Sequence, residues 1–185
     1  NLHNDVSFSF SLDGLTWQAE NIKIKNAGTH SVYVKFSKEN YADNIILSTI
    51  KINALNLVIT PNANQSKIYG EIDKPLTFSY SGNLLSETPL FSGELSRELD
   101  FSFPTNERVG EYQINKGNLK LEDNGNFIAG NYNLVFNLDD AIFSITPRQL
   151  LISPNANQYK YYNTQDVMLI YSYSNVVVGE TPLLT

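Results

Sequence analysis

Cysteine is absent from the 185 residues, and histidine, methionine and tryptophan are scarce, with two, one and one copies. Without cysteine the chain has no disulfide scaffold, no thiolate zinc site and no cysteine nucleophile. Lys and Arg number 13 against 19 Asp and Glu, which gives a formal charge of −6. Because a chain of this charge without a basic cluster does not neutralise a phosphate backbone, we expect no nucleic-acid partner.

Long apolar runs and a recognisable leader are also missing. No run approaches the ~20 residues that span a bilayer, so we expect no membrane insertion of this segment. The sequence begins at Asn1 with neither an initiator Met nor a signal peptide, which predicts an internal piece of a longer protein.

Asparagine and large aromatic residues are abundant instead. The sequence holds 23 Asn, 11 Tyr and 10 Phe. Asn favours turns, and aromatic and β-branched residues favour pleated surfaces. Composition therefore predicts an all-β protein.

A tandem repeat organises the chain. Residues 59–90 read ITPNANQSKIYGEIDKPLTFSYSGNLLSETPL and align without a gap on residues 152–183, ISPNANQYKYYNTQDVMLIYSYSNVVVGETPL. The offset is 93 throughout, and 17 of the 32 positions are identical. We therefore expect a preceding partial repeat at 1–53, one complete β domain at 54–147 and the beginning of a following repeat at 148–185.

Alternation of apolar and polar residues predicts many short strands and little or no helix. One short helical turn is allowed near residues 83–90. Turn signals at intervals of 8–12 residues favour tandem β-sandwich modules, Ig-like in type and joined by short linkers, or a partly open barrel. The predicted strands lie at 6–12, 32–36, 45–52, 55–60, 76–80, 110–114, 118–121, 132–138, 141–145, 150–153, 167–173 and 176–178.

The middle repeat resembles the YGX-type MBG domain, a β-rich repeat module of large bacterial surface proteins and adhesins. The front piece is similar to the C-terminal half of an Ig-like bacterial surface repeat, through residues 11–17, 26–29, 32–35 and 39–41. The following copy has Asn163 where the MBG motif has glycine. The MBG resemblance rests on residues 67–71 (KIYGE), 75–78, 93–97, 109–114, 117–119, 131–134 and 143–147.

The resemblance implies an extracellular location, on the bacterial cell surface or secreted, and carries no catalytic residues. Read physically, Gly70 is expected to take a conformation that a Cβ would forbid. Tyr69, Tyr112 and Tyr132 are expected to pack as corner residues whose hydroxyls reach the backbone.

Candidates for chemistry are few. His3 and His30 have no partner at ligand or triad spacing, so we expect no enzyme, no metal site and no cofactor. The Glu122–Asn126 stretch, with Asp139 and Asp140, offers oxygen ligands for calcium but lacks the bidentate Glu of a calcium loop, so a solvated hairpin is the default interpretation. A covalent cross-link from Lys35, Lys51, Lys67 or Lys160 to an Asn or Asp side chain is a further hypothesis for which the spacing selects no partner.

Tyr159 and Tyr161 form the one candidate binding surface. They replace Ser66 and Ile68 of the first copy, whereas Tyr171 and Tyr173 correspond to Phe78 and Tyr80 and are expected in the core.

The predicted function is that of a non-catalytic stalk spacer with adhesive character, and the alternative is a specific glycan- or host-protein-binding module of an adhesin. Expected partners are neighbouring repeats of the same chain and a host glycan or protein. The incomplete end pieces are expected to pair as strands between different molecules, to be disordered, or to contact the middle repeat.

Overall fold

The computed structural model describes residues 6–103, 105 and 107–183. Strands dominate the described residues, and the helical structure of these residues is limited to a 3-10 turn at Ala129–Asn131. The predicted all-β class is confirmed. In chain order the strands are β1 Ser7–Ser11, β2 Gly28–Ser37, β3 Asn44–Ile52, β4 Leu55–Pro61, β5 Gln65–Ile68, β6 Phe78–Gly82, β7 Leu90–Ser92, β8 Ser96–Arg97, β9 Gly110–Asn115, β10 Lys120–Glu122, β11 Tyr132–Phe136, β12 Ile142–Thr146, β13 Leu151–Pro154 and β14 Tyr171–Ser174.

Contacts group these residues into two compact units. Within the described residues, the first unit comprises 6–59, 80–92 and 120–137, and the second comprises 60–79, 93–119 and 138–183.

In the first unit, β1, β2 and β3 form an antiparallel sheet with β2 in the centre. Val32 on β2 is buried, whereas β3 is exposed along all its length except Ile52. The loop after β1 is organised by Asp13, whose carboxylate accepts hydrogen bonds from the amides of Thr16 and Leu15. These bonds hold the pKa of Asp13 far below its usual range.

A second part of the first unit has its core around Leu57 on β4. The ring of Phe127 stacks on that of Tyr132 with centroids 4.8 Å apart, and both rings are buried with Leu57. β4 pairs in parallel with β11, so that Leu57 lies opposite Leu134, and β6 lies on the other side of β4. β7 and β10 form an antiparallel ribbon.

In the second unit, β5, β12, β9 and β8 form one sheet, in that order. β5 is parallel to β12, and β9 is antiparallel to it. Alternation places Tyr112 and Ile114 of β9 in the core together with Phe143 and Ile145 of β12. β13 and β14 make a separate antiparallel pair.

Several local predictions are wrong. The stretch 176–178 is not a strand, because Val177 packs against the turn at Gly70 and Val178 is fully exposed. The helical turn expected near residues 83–90 is a left-handed turn, with φ of 47° at Leu85 and 68° at Ser86. Tyr171 and Tyr173 are 45% and 41% exposed, so they are not core residues; among the described strands, β14 pairs with β13 alone.

Candidate functional site

The sequence PNANQ closes the same loop in both copies of the repeat. Gln65 donates hydrogen bonds to the carbonyls of Asn62 (2.9 Å) and Thr77 (3.1 Å) and accepts one from the amide of Thr77 (2.6 Å). Gln158 makes the same bonds to the residues 93 positions further along the chain. The repeat found in the sequence is therefore a repeat of hydrogen bonds as well.

The candidate binding residues Tyr159 and Tyr161 lie side by side on the surface of the second copy. Each is 75% exposed, and their rings meet edge to face with centroids 6.1 Å apart. A cleft of about 370 Å³ beside them is lined by Gln158, Lys160 and Asp166, among others. An aromatic platform next to amide and charged groups suits a polar ligand with apolar faces.

Four charged side chains form a cluster in the second unit, which we call the charge cluster: Lys67, Asp73, Arg97 and Glu107. Lys67 Nζ lies 2.5 Å from Asp73 Oδ1 and 2.6 Å from Glu107 Oε2. Arg97 donates from Nε to Asp73 (2.8 Å) and from Nη2 to Glu107 (2.6 Å). The side chains of Lys67 and Arg97 are each 6% exposed and that of Glu107 is 10% exposed. Two cations and two anions thus balance in a largely buried site.

Aromatic rings complete the surroundings of the charge cluster. The guanidinium of Arg97 lies 5.0 Å from the ring centre of Tyr112 and 5.5 Å from that of Phe143. The Tyr112 hydroxyl in turn accepts a hydrogen bond from the amide of Arg108 and donates one to its carbonyl. Tyr112 is therefore the corner residue that the sequence predicts.

The charges determine what the cluster can do. Burial tends to raise the pKa of Asp73, but hydrogen bonds from Arg97 and Lys67 outweigh it and hold that pKa below its usual range. Condensation of Lys67 with Asp73 needs a neutral amine and an uncharged carboxyl group. Because the cluster favours the charged carboxylate of Asp73, its role is that of an electrostatic lock between strands.

Sequence reasoning singled out Lys67 and missed its three partners. A usable signal existed for one of them, because the pair recurs in the second copy, where Lys160 contacts Asp166. Arg97 and Glu107 lie in the part of the domain that residues 148–185 do not repeat.

The Tyr69–Gly70 corner, defined by these two residues, contacts the segment 175–182. The Tyr69 hydroxyl donates a 2.5 Å hydrogen bond to Glu180 Oε1, which together with burial raises the pKa of Tyr69. Arg148 donates from Nε to the Tyr69 carbonyl (2.8 Å) and from Nη1 to Asn175 Oδ1 (3.1 Å). The predicted bond from Tyr69 to backbone is thus replaced by one to a carboxylate.

Comparison with known proteins identifies the middle of the chain. Residues 57–142 match the family model described as MBG domain (YGX type). This segment is similar to MBG domains of the YGX type. No curated protein and no solved structure matches the chain.

MBG domains are repeat modules of surface proteins, and they are structural rather than known as enzymes. Within residues 6–103, 105 and 107–183 no group of three or more His, Cys, Asp or Glu side chains is placed to hold a metal ion. The acidic hairpin is occupied by local bonds, since Glu122 pairs with Lys120 and Asp123 accepts from the amide of Ala129.

His30 contacts the carbonyl of Asn26, and His3 lies outside the described residues.

In the described part of the chain, no helix is both long and apolar enough to cross a membrane.

Proposed function

We propose that the chain is a load-bearing spacer segment in the stalk of a large bacterial surface or secreted protein. In this proposal residues 54–147 are the complete MBG domain, residues 1–53 end an Ig-like repeat and residues 148–185 begin the next MBG-like repeat. The membership of residues 57–142 in a family of surface-protein repeats supports the setting.

Two parallel strand pairs carry the proposal: one contains the first strand of the domain and the other contains its last strand. β4, which begins the domain, is parallel to β11, and β12, which ends it, is parallel to β5. Tension applied at the domain's two ends pulls parallel partners in opposite directions along their length. Their ladder hydrogen bonds are then loaded together, in shear, rather than one after another.

The dependence of the unfolding force on the direction of pulling tests this proposal. Stretching the chain by its ends in an atomic force microscope is expected to give one high-force event that releases roughly 300 Å, because an extended residue spans about 3.3–3.6 Å. Asn56 and Asn133 lie opposite each other in the β4–β11 ladder and are exposed. Handles attached through Asn56→Cys and Asn133→Cys peel the same ladder apart, and we expect a clearly lower force. Equal forces in the two directions would contradict a load-bearing role.

Exposure of Tyr159 and Tyr161 supports a second candidate function, the binding of a glycan or a host protein. The first copy carries Ser66 and Ile68 at these positions. Replacing the tyrosines with those residues, Tyr159→Ser with Tyr161→Ile, is expected to abolish signals of the chain on a glycan array or a panel of host matrix proteins. Tyr41, which is 71% exposed, provides the control Tyr41→Ser, which should keep them. A chain that gives no signal, or a double variant that keeps it, removes this candidate.

A further inference from the structure

We propose that the Tyr69–Gly70 corner is the docking site for the repeat that follows in the chain, and that position 70 is glycine to make room for that repeat. The inference rests on the spacer function and adds to it a fixed joint between repeats. Its occupant is the segment 175–182, which the structure places on the corner through Glu180 and Val177; Asn175 binds Arg148, which donates to the Tyr69 carbonyl.

Space, rather than backbone conformation, explains the glycine. Gly70 has a φ of +79°, and its counterpart Asn163 has a φ of 59°. Asn adopts this left-handed conformation readily, so conformation alone does not require glycine here. A Cβ at position 70, however, would lie 2.4 Å from Cγ2 of Val177, a distance that no carbon pair tolerates.

The docking segment differs from its counterpart in the first copy in the residues that reach the corner. Asn175 replaces Gly82 and accepts from Nη1 of Arg148, whose Nε donates to the Tyr69 carbonyl of the preceding domain. Val177 replaces Leu84, whose side chain packs against the core of its own domain. Glu87, the counterpart of Glu180, likewise accepts from Tyr132 of its own domain. In the second copy the side chains at these positions therefore bind the preceding domain, whereas in the first copy they bind their own domain.

A cleft of about 520 Å³ lies at this joint, lined by Tyr69, Arg148, Val177 and Pro182, among others. Apolar side chains, the Tyr69–Glu180 bond and the two bonds of Arg148 hold the segment at the cleft. We expect these contacts to restrict rotation about the short linker between the copies.

Spin-label distance measurements test the joint, since the chain has no native Cys. Labels at Glu111→Cys and Thr164→Cys, both at exposed positions, report on the second copy relative to the MBG domain. We expect one narrow distance peak. Gly70→Asn, which installs the residue of the second copy, is expected to replace that peak with a broad distribution.

Three further variants make the result specific. Gly125→Asn is the matched control, because Gly125 has a φ of +56° and no atom within 4 Å of a built Cβ; its peak should stay narrow. Adding Val177→Ala to Gly70→Asn removes both Cγ atoms and leaves only the Cβ, at 3.3 Å, so the narrow peak should return. Glu180→Ala acts from the exposed docking segment and should broaden the peak while the MBG domain keeps its circular dichroism spectrum.

A narrow peak in both Gly70→Asn and Glu180→Ala overturns the docking site, and so does equal broadening in Gly125→Asn. If Gly70→Asn fails to fold, Glu180→Ala decides alone. The force experiment tests whether the β4–β11 ladder resists shear more than peeling, and this comparison does not depend on whether the docking segment is fixed to the corner. If the domain resists shear but the two spin labels show no single narrow distance, the spacer function stands and only the fixed joint is refuted.

Discussion

Glu107→Gln is expected to destabilise the MBG-like middle domain by about 3 kcal/mol. The substitution keeps the shape of the side chain and removes the charge that faces Lys67 and Arg97 at 2.6 Å each. Breaking a buried ion pair by removing one partner costs about 3–5 kcal/mol, because the other charge stays buried without compensation. We place this case at the lower end because Asp73 still contacts both cations. Urea denaturation measures the loss in the free energy of unfolding, and hydrogen exchange of the β9 and β12 amides in the folded protein measures the loss locally.

The matched control is Glu111→Gln on the exposed face of β9, where surface substitutions change stability by less than about 0.5 kcal/mol. Similar values for both variants would show that the charge cluster contributes little to stability.

The dependence of stability on pH gives a second test of the charge cluster. The folded-state pKa of Asp73 is below its ordinary value of 3.8. We therefore expect the contribution of Asp73 to the free energy of unfolding to be complete above pH 3.8 and to be lost as the pH falls through the lowered pKa.

The charge cluster shows where sequence reasoning stops. Its members lie at positions 67, 73, 97 and 107, and no local pattern joins them. Lys67 lies on β5 and Arg97 on β8 of one sheet, whereas Asp73 and Glu107 lie between strands. The parallel β5–β12 pair in this sheet joins residues nearly 80 positions apart. Strand order of this kind depends on long-range pairing that alternation does not encode.

Local features were predictable to the extent that they depend on adjacent residues. Alternation of Tyr132, Leu134 and Phe136 predicts β11 in nearly the right place. The two-residue strand β8 is too short to show any period. Gly70 is a mixed case: its special conformation follows from the motif, whereas the reason for having no side chain depends on Val177, more than a hundred residues away.

Phe127→Ala is expected to have the largest effect of any single substitution discussed, a loss of about 4 kcal/mol. Phe127 is 1% exposed and stacks on Tyr132, the first residue of β11. Large-to-small changes of a buried Phe cost about 3–5 kcal/mol, because the lost transfer free energy is added to that of a cavity. Phe101→Ala, at a site that is 78% exposed, should change stability by less than about 0.5 kcal/mol. Thermal or urea denaturation of both variants measures the difference.

The same substitution connects the core to the mechanical proposal. Phe127 and Tyr132 pack against Leu57 of β4, so the cavity would lie beside the β4–β11 ladder that carries the load. We therefore expect Phe127→Ala to lower the force of end-to-end unfolding, whereas Phe101→Ala should leave it unchanged. If Phe127→Ala destabilises the domain in urea and the unfolding force stays the same, the ladder resists tension without support from this core, and the load is carried by the β5–β12 pair instead.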